Sequence, residues 1–183
     1  MPKQTFFNLP NSKQERIIKA AVKEFAAHPY LNTSINRIIE KADISKGSFY
    51  QYFNNKKDLY KYIIEQASEE KIKFLKEKMV DYQNYNFFEM LRQLFIVSIQ
   101  FKNEYPLYSE IGDRLLNGAN DVLKEEVYAE SRPKSNIFLK KILEKAAEKG
   151  EIDSEVDIEF TAYMLTDFSI SIVNYFFENH NPD

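Results

Sequence analysis

At 183 residues the chain suits one domain, or two small ones sharing a core, and is long enough to fold without covalent staples. It has no cysteine and only two histidines, His28 and His180. That excludes disulfide scaffolds, thiol catalysis, iron–sulfur clusters and cysteine-type zinc fingers, and it argues against a histidine-rich metal site; counting alone leaves a carboxylate-bound magnesium or calcium open. Four glycines, six prolines and 29% charged residues point to long helices with few loops, and 15% aromatics without tryptophan is more ring surface than a plain helical core requires. The net charge of −3 conceals +5 over residues 1–60 and −8 over residues 61–183. A basic segment at one end of a chain suggests a polyanionic partner there.

The opening MPKQTFFNLP has one lysine and no apolar run, so no signal peptide is expected there. Residues 1–10 are expected to form a flexible, disordered arm; the alternative is that Lys3 reaches a minor groove. After Asn11 and Ser12, the residues Ile18, Ala21, Val22 and Phe25 recur on one helical face, and His28-Pro29 stops the helix. Thr33 and Ser34 are N-cap residues for a short second helix with Ile35, Ile38, Ile39 and Ala42 inward. Asp43-Ile44 makes a tight turn, and Ser45 caps a third helix anchored by Phe49 and Phe53. Asn55, with Asp58 three residues on, starts a fourth helix over residues 56–78, charged in its later part as a connector would be.

This places a first unit of short helices at 11–56, a connecting helix within 57–85 and a second body at 86–183. In the second body Phe87, Phe88, Leu91, Leu94, Phe95 and Ile99 mark a helix, and Tyr105-Pro106 opens a shorter one to about residue 116. Gly118 and Arg132-Pro133 are expected to bound a helix over 119–131, followed by one over 135–149 that ends at Gly150. The last helix is expected over 154–177. Its apolar run is interrupted by Glu159, Asp167 and Asn174, so no membrane span is read and a cytoplasmic protein is the default. No strand pattern is present; the fold class is all-α.

The third helix carries Lys46, Gly47, Ser48, Tyr50, Gln51 and Tyr52 on its outer side. A helix entering a major groove needs small leading residues for close approach and flanks that hydrogen-bond phosphates. The stretch TSINRIIEKADISKGSFYQYFNNKK, residues 33–57, resembles the helix-turn-helix of the tetracycline-repressor family of bacterial transcription regulators. Thr33, Ser34, Ile38, Ile39, Ala42, Ser45, Gly47, Phe49, Tyr50, Tyr52, Phe53 and Lys56 match its pattern in order and spacing. Asp43 stands where the turn usually has glycine, and Ile39 where a small alanine is common; aspartate tolerates the left-handed conformation better than most residues.

The resemblance implies that Ser34, Tyr50 and Lys56 contact phosphates, with Ser48 also on the backbone. Lys46 and Gln51 would reach base edges, as lysine can bond guanine and glutamine adenine. Gly47 would permit close approach, and Asn36 and Arg37 would add a base or backbone contact. Thr33 and Tyr52 complete the expected interface. The resemblance further implies that the C-terminal helices bind a small effector and form a homodimer that reads a near-palindromic double-stranded operator, with repression as the family default. A ligand pocket is expected around Phe88, Phe95, Ser98, Phe101, Tyr105, Tyr108, Tyr163 and Asp167. The alternative for each ring is ordinary core packing. Asp167 either meets a ligand, pairs with a basic residue or sits exposed. The acidic, ring-rich body favours a cationic or aromatic effector over a fatty-acyl anion.

Ile170, Ile172, Val173, Phe176 and Phe177 occupy too many faces for one core, which points to dimerisation through the last helix. In many relatives the turn matching Gly150-Glu151-Ile152 precedes two long helices. Here one fits before Asp183, so either a final helix is missing from the chain or dimerisation uses a reduced surface. No phosphate-cradling glycine loop, nucleophile elbow or paired histidine ligand appears, so neither an enzyme nor a cofactor is expected. A second reading keeps DNA binding but replaces the effector by a protein partner or by no ligand.

Overall fold

A computed structural model describes residues 1–79, 84–117 and 121–180, with side chains at all of these but 117, 121–122, 128–135, 169–170, 173–174, 176–178 and 180. The described residues are helical and connecting, without a strand: α1 Gln4–Phe7, α2 Asn11–Ala27, a 3-10 turn Tyr30–Asn32, α3 Ile35–Ala42, α4 Lys46–Tyr52, α5 Lys56–Lys78, α6 Phe87–Glu104, α7 Pro106–Asn117, α8 Asp121–Glu148 and α9 Ile158–His180. None of these helices is long and apolar enough to cross a membrane. The chain divides into two units, residues 1–73 with 104–125, and residues 74–103 with 126–183.

In the first unit α2 buries Ile17, Ala20, Ala21, Val22 and Phe25. Ala21, Val22 and Phe25 of the expected face are buried, and Ile17 is buried where Ile18 was expected, Ile18 being half-buried. His28 turns extended before Pro29 and ends the helix as expected. Ser34 caps α3 by accepting from Arg37 N, and Ser45 caps α4 by accepting from Ser48 N. Between them Asp43 takes the left-handed conformation at φ 50°, and Ile44 N closes back on Ile39 O at 3.2 Å. This is the turn that sets α4 against α3. Phe49 and Phe53, one helical turn apart, are fully buried with ring centroids 5.4 Å apart. Asn55 Oδ1 accepts from Asp58 N at 2.9 Å and starts α5.

Two features of this unit depart from expectation. Residues 1–10 are anchored through Phe6, which is fully buried, 5.1 Å from the Phe53 ring and 5.7 Å from that of Tyr62. A pair of aromatic side chains outweighs the entropy of so short a segment once it finds a ring cluster to cover. Residues 104–125, expected with the second body, belong to the first unit. There Ile111 is buried, and Arg114 Nε donates to Ala26 O at 2.9 Å, satisfying an open carbonyl at the end of α2.

The second unit has its core in Phe87, Leu139, Leu143, Ala146 and Ala162, flanked by Leu91, Leu94, Ile142 and Leu165. Asn86 and Glu89 cap each other's amides at the start of α6, both at 2.9 Å. The break expected at Arg132-Pro133 is absent: α8 runs unbroken from Asp121 to Glu148. A proline removes one helical hydrogen bond and crowds the preceding turn, at about 3 kcal/mol. In a helix of this length the remaining bonds, and the burial of Leu139, Leu143 and Ala146 beyond it, outweigh that cost. Gly150 ends the helix region at φ 69°, as expected. The last helix begins at Ile158, later than 154, because Asp157 Oδ1 accepts from Phe160 N and caps it there. Gly118, and the side chains of Ile170, Val173, Phe176 and Phe177, lie outside the described residues.

Candidate nucleic-acid interface

The start of α3, the outer face of α4 and the start of α5 converge on an open depression of about 270 Å³ lined by Thr33, Ser34, Ile35, Asn36, Lys46, Tyr50 and Lys56. Six of these seven were picked from the sequence. Along α4, Lys46, Gly47, Tyr50 and Gln51 are exposed. The Tyr50 ring leans edge-on against buried Phe49 at 5.2 Å, which holds the phenol in place. Ser48 is half-buried, its hydroxyl 2.9 Å from that of Ser45. A Cβ at Gly47 would meet only Ser45 Oγ at 3.8 Å. The protein's own packing therefore does not demand glycine there.

Four sequence-picked residues, two of them in that lining, are engaged by the protein's own groups. Tyr52 is not on the outer face: it is 6% exposed and packs edge-on against Phe6 at 6.4 Å. A ring six residues into α4 has turned back toward the core, where an apolar partner holds it. Thr33 is buried, its hydroxyl reaching the carbonyls of Pro29 at 3.2 Å and His28 at 3.4 Å, so it braces the approach to α3. Lys56 Nζ donates to Tyr30 O at 2.6 Å, Thr33 O at 3.0 Å and Leu31 O at 3.4 Å, and lies 4.5 Å from the Tyr30 ring centre. Burial draws its pKa below the ordinary lysine value. Three ammonium protons facing three carbonyls make it a clamp on the turn before α3. Arg37 is drawn inward to Glu24, with Nη2 at 2.6 Å and Nε at 2.7 Å from Oε1, and it also donates to Asn32 O at 2.8 Å.

Glu24 is the residue that motif matching passed over. It is fully buried and accepts from Arg37, from Lys41 Nζ at 3.2 Å and from Ser34 N at 3.2 Å. Burial pushes its carboxyl up, but the hydrogen bonds from Arg37, Ser34 and Lys41 outweigh it and hold the pKa below 4.5. The signal was available: an acid three and four residues from Ala21 and Ala20 on the buried face of α2 needs partners. The same network fixes the start of α3, and with it Ser34 and Asn36.

The residues expected around an effector are spread over both units. Tyr105 and Tyr108 lie in the first, their rings stacked at 6.5 Å. In the second, Phe101 is buried edge-on against Phe74 at 5.6 Å, and Phe95 and Ser98 are half-buried. Phe88, at 67% exposure, Tyr163 and Asp167 are on the surface. With its carboxylate exposed, Asp167 bears no burial cost.

A capped helix, a left-handed turn and a second capped helix with an open polar face, on the basic part of the chain, define a helix-turn-helix DNA-binding protein. The family profile described as bacterial regulatory proteins, tetR family, matches residues 17–63. A TetR family transcriptional regulator from Chloroflexus aurantiacus is 33% identical with a TM-score of 0.72, the match covering 100% of this chain and 83% of that one. A protein of Escherichia coli K12 named "Probable acrEF/envCD operon repressor" is 24% identical over 87% of this chain and 73% of its own length. The transcriptional regulator FadR of Bacillus subtilis, solved with stearoyl-CoA, shares the fold at 22% identity and a TM-score of 0.73, over 92% of this chain and 89% of that one. The chain belongs to the tetR family of bacterial transcriptional regulators.

Proposed function

We propose that the protein is a homodimeric repressor that reads a near-palindromic operator with α4 and leaves it when a small molecule binds the C-terminal unit. The observation that carries the DNA reading is the convergence of Ser34, Asn36, Lys46 and Tyr50 on one open depression beside the unobstructed Gly47. In this reading Lys46 and Gln51 meet base edges, while Ser34, Ser48 and Tyr50 hold the backbone. Thr33, Arg37, Tyr52 and Lys56 support these contacts from beneath. Lys46→Ala and Gln51→Ala should each cost about 1–3 kcal/mol on the best duplex and relax preference at one position. Ser34→Ala should weaken all sequences alike. Titration of fluorescent duplexes carrying single-base changes separates the two classes, and a uniform loss in Lys46→Ala and Gln51→Ala would overturn the base-reading assignment.

Dimerisation is supported by α9, whose Phe160, Met164, Phe168 and Tyr175 are all exposed and fall on one face at helical spacing. An apolar stripe of this kind calls for a second copy. A dimer would set two recognition helices about 34 Å apart, one turn of DNA. Release follows if an effector prefers a body with a different separation. The half-buried Phe95 and Ser98 on α6 support a small-molecule site, and the acidic, ring-rich C-terminal body favours a cationic or aromatic ligand. Release of a bound duplex by cationic dyes, and not by acyl-CoA, is the expected result; release by acyl-CoA alone would overturn that preference. The surface placement of Phe88, Tyr163 and Asp167 favours a second reading in which a protein partner replaces the effector.

A further inference from the structure

The weak end of a seven-residue recognition helix is its last turn, whose carbonyls have no amide four residues ahead within the helix. For Tyr50 that amide belongs to Asn54, and it donates to Asp58 Oδ2 at 3.2 Å. Yet the carbonyls of Tyr50, Gln51 and Tyr52 are each met by a donor from the chain's first residues. Lys3 Nζ donates to Tyr50 O at 2.9 Å, the Thr5 hydroxyl donates to Gln51 O, and Lys3 N donates to Tyr52 O at 2.8 Å. These are consecutive carbonyls, and two of them belong to residues on the open face of α4.

The donors are delivered by a segment tied down on both sides. Phe6 is fully buried among Tyr52, Phe53 and Tyr62. Further on, Gln14 Nε2 of α2 donates to Leu9 O at 2.8 Å and to Phe7 O at 3.3 Å. The Lys3 ammonium also places positive charge at the negative end of α4. The segment thus supplies what the helix lacks: partners for its open carbonyls, a cation at its C-terminus and an apolar anchor.

We infer that residues 3–6 form a C-terminal cap for α4 and act as a positioning element for DNA recognition, holding Tyr50 and Gln51 in register with Lys46. The inference rests on reading α4 as the recognition helix. It replaces the flexible arm expected at residues 1–10 with one whose donors face the protein.

The test uses the full chain with Lys3→Met and Thr5→Val combined, leaving Phe6 in place so that the ring cluster persists, and Thr5→Val alone as a milder variant. Hydrogen exchange of the amides of residues 46–53 is followed by mass spectrometry, and affinity for a selected duplex is titrated at several salt concentrations. Exchange should quicken across α4 and not across α2. Affinity should fall about tenfold, as expected for two lost hydrogen bonds. The slope of affinity against salt should stay unchanged. Thr5→Ser, which keeps the hydroxyl, should retain wild-type exchange and affinity.

A slope lowered by about one, with exchange in α4 unaltered, would make Lys3 a phosphate ligand and overturn the cap. Faster exchange without loss of affinity would overturn the positioning role. Unaltered exchange and affinity in both variants would overturn the whole inference. If the wild-type chain has no sequence preference, it is the DNA reading of α4 that fails, and the exchange measurement still decides whether the cap exists.

Discussion

Gly47 occupies the second position of α4, with only Ser45 Oγ, at 3.8 Å, near where a side chain would project. Glycine in a helix costs up to about 1 kcal/mol relative to alanine, so Gly47→Ala should raise unfolding stability by up to that amount. The same methyl would project into the surface proposed to face the groove and should reduce affinity for the preferred duplex at least several-fold. Urea denaturation and duplex titration on one preparation test both signs; a variant both more stable and equally tight would remove Gly47 from the interface. Glu24 makes the converse case, a residue whose effect on recognition passes through the fold. Glu24→Gln removes the charge that Arg37 and Lys41 face and should cost about 2 kcal/mol. The native pKa of Glu24 lies below its ordinary value of 4.5. Its contribution is therefore complete above that value and is lost as pH falls through the lowered native value. Wild-type stability should decline through this acid range, with a shallower decline in Glu24→Gln.

At the scale of elements, Lys56 shows how one side chain joins the turn before α3 to the start of α5. Lys56→Met should destabilise the chain by about 1–2 kcal/mol through the lost carbonyl contacts. It should leave the salt dependence of DNA binding unchanged, since the ammonium is already occupied by Tyr30, Leu31 and Thr33. A slope reduced by about one would return Lys56 to the phosphates. The helix-turn-helix was legible in the sequence because its signals are local: Ser34 and Ser45 as caps, Asp43 at the turn, Phe49 and Phe53 one turn apart. The roles of Lys3, Phe6 and Glu24 were less legible, since their partners lie tens of residues away or on another helix. Tyr52 was misplaced for a related reason: a short helix followed by a turn leaves periodicity too few residues to separate its faces. At Pro133 a local rule for breaking helices was overridden by the burial of α8 beyond it. The effector set was least legible, because ring spacing along α6 and α9 does not say which rings meet neighbours and which meet solvent.

For the whole molecule, the proposed symmetric reading of an operator requires two copies of the chain. The exposed rings of α9 supply the surface proposed to join them, so Phe168→Glu should shift the protein toward monomer in sedimentation equilibrium while leaving its helical content intact. The monomer should lose most of its affinity for a full operator, because each half-site then binds alone. A variant that remains dimeric would move the interface off α9. The central claim, that α4 reads sequence as one of a symmetric pair, is tested most directly by selecting duplexes from a random library with the wild-type chain and with Tyr50→Ala. The account predicts an inverted repeat with half-sites about one turn of DNA apart, recovered by the wild type and lost in the variant. Recovery of no shared sequence, with binding that fades as salt rises, would contradict it.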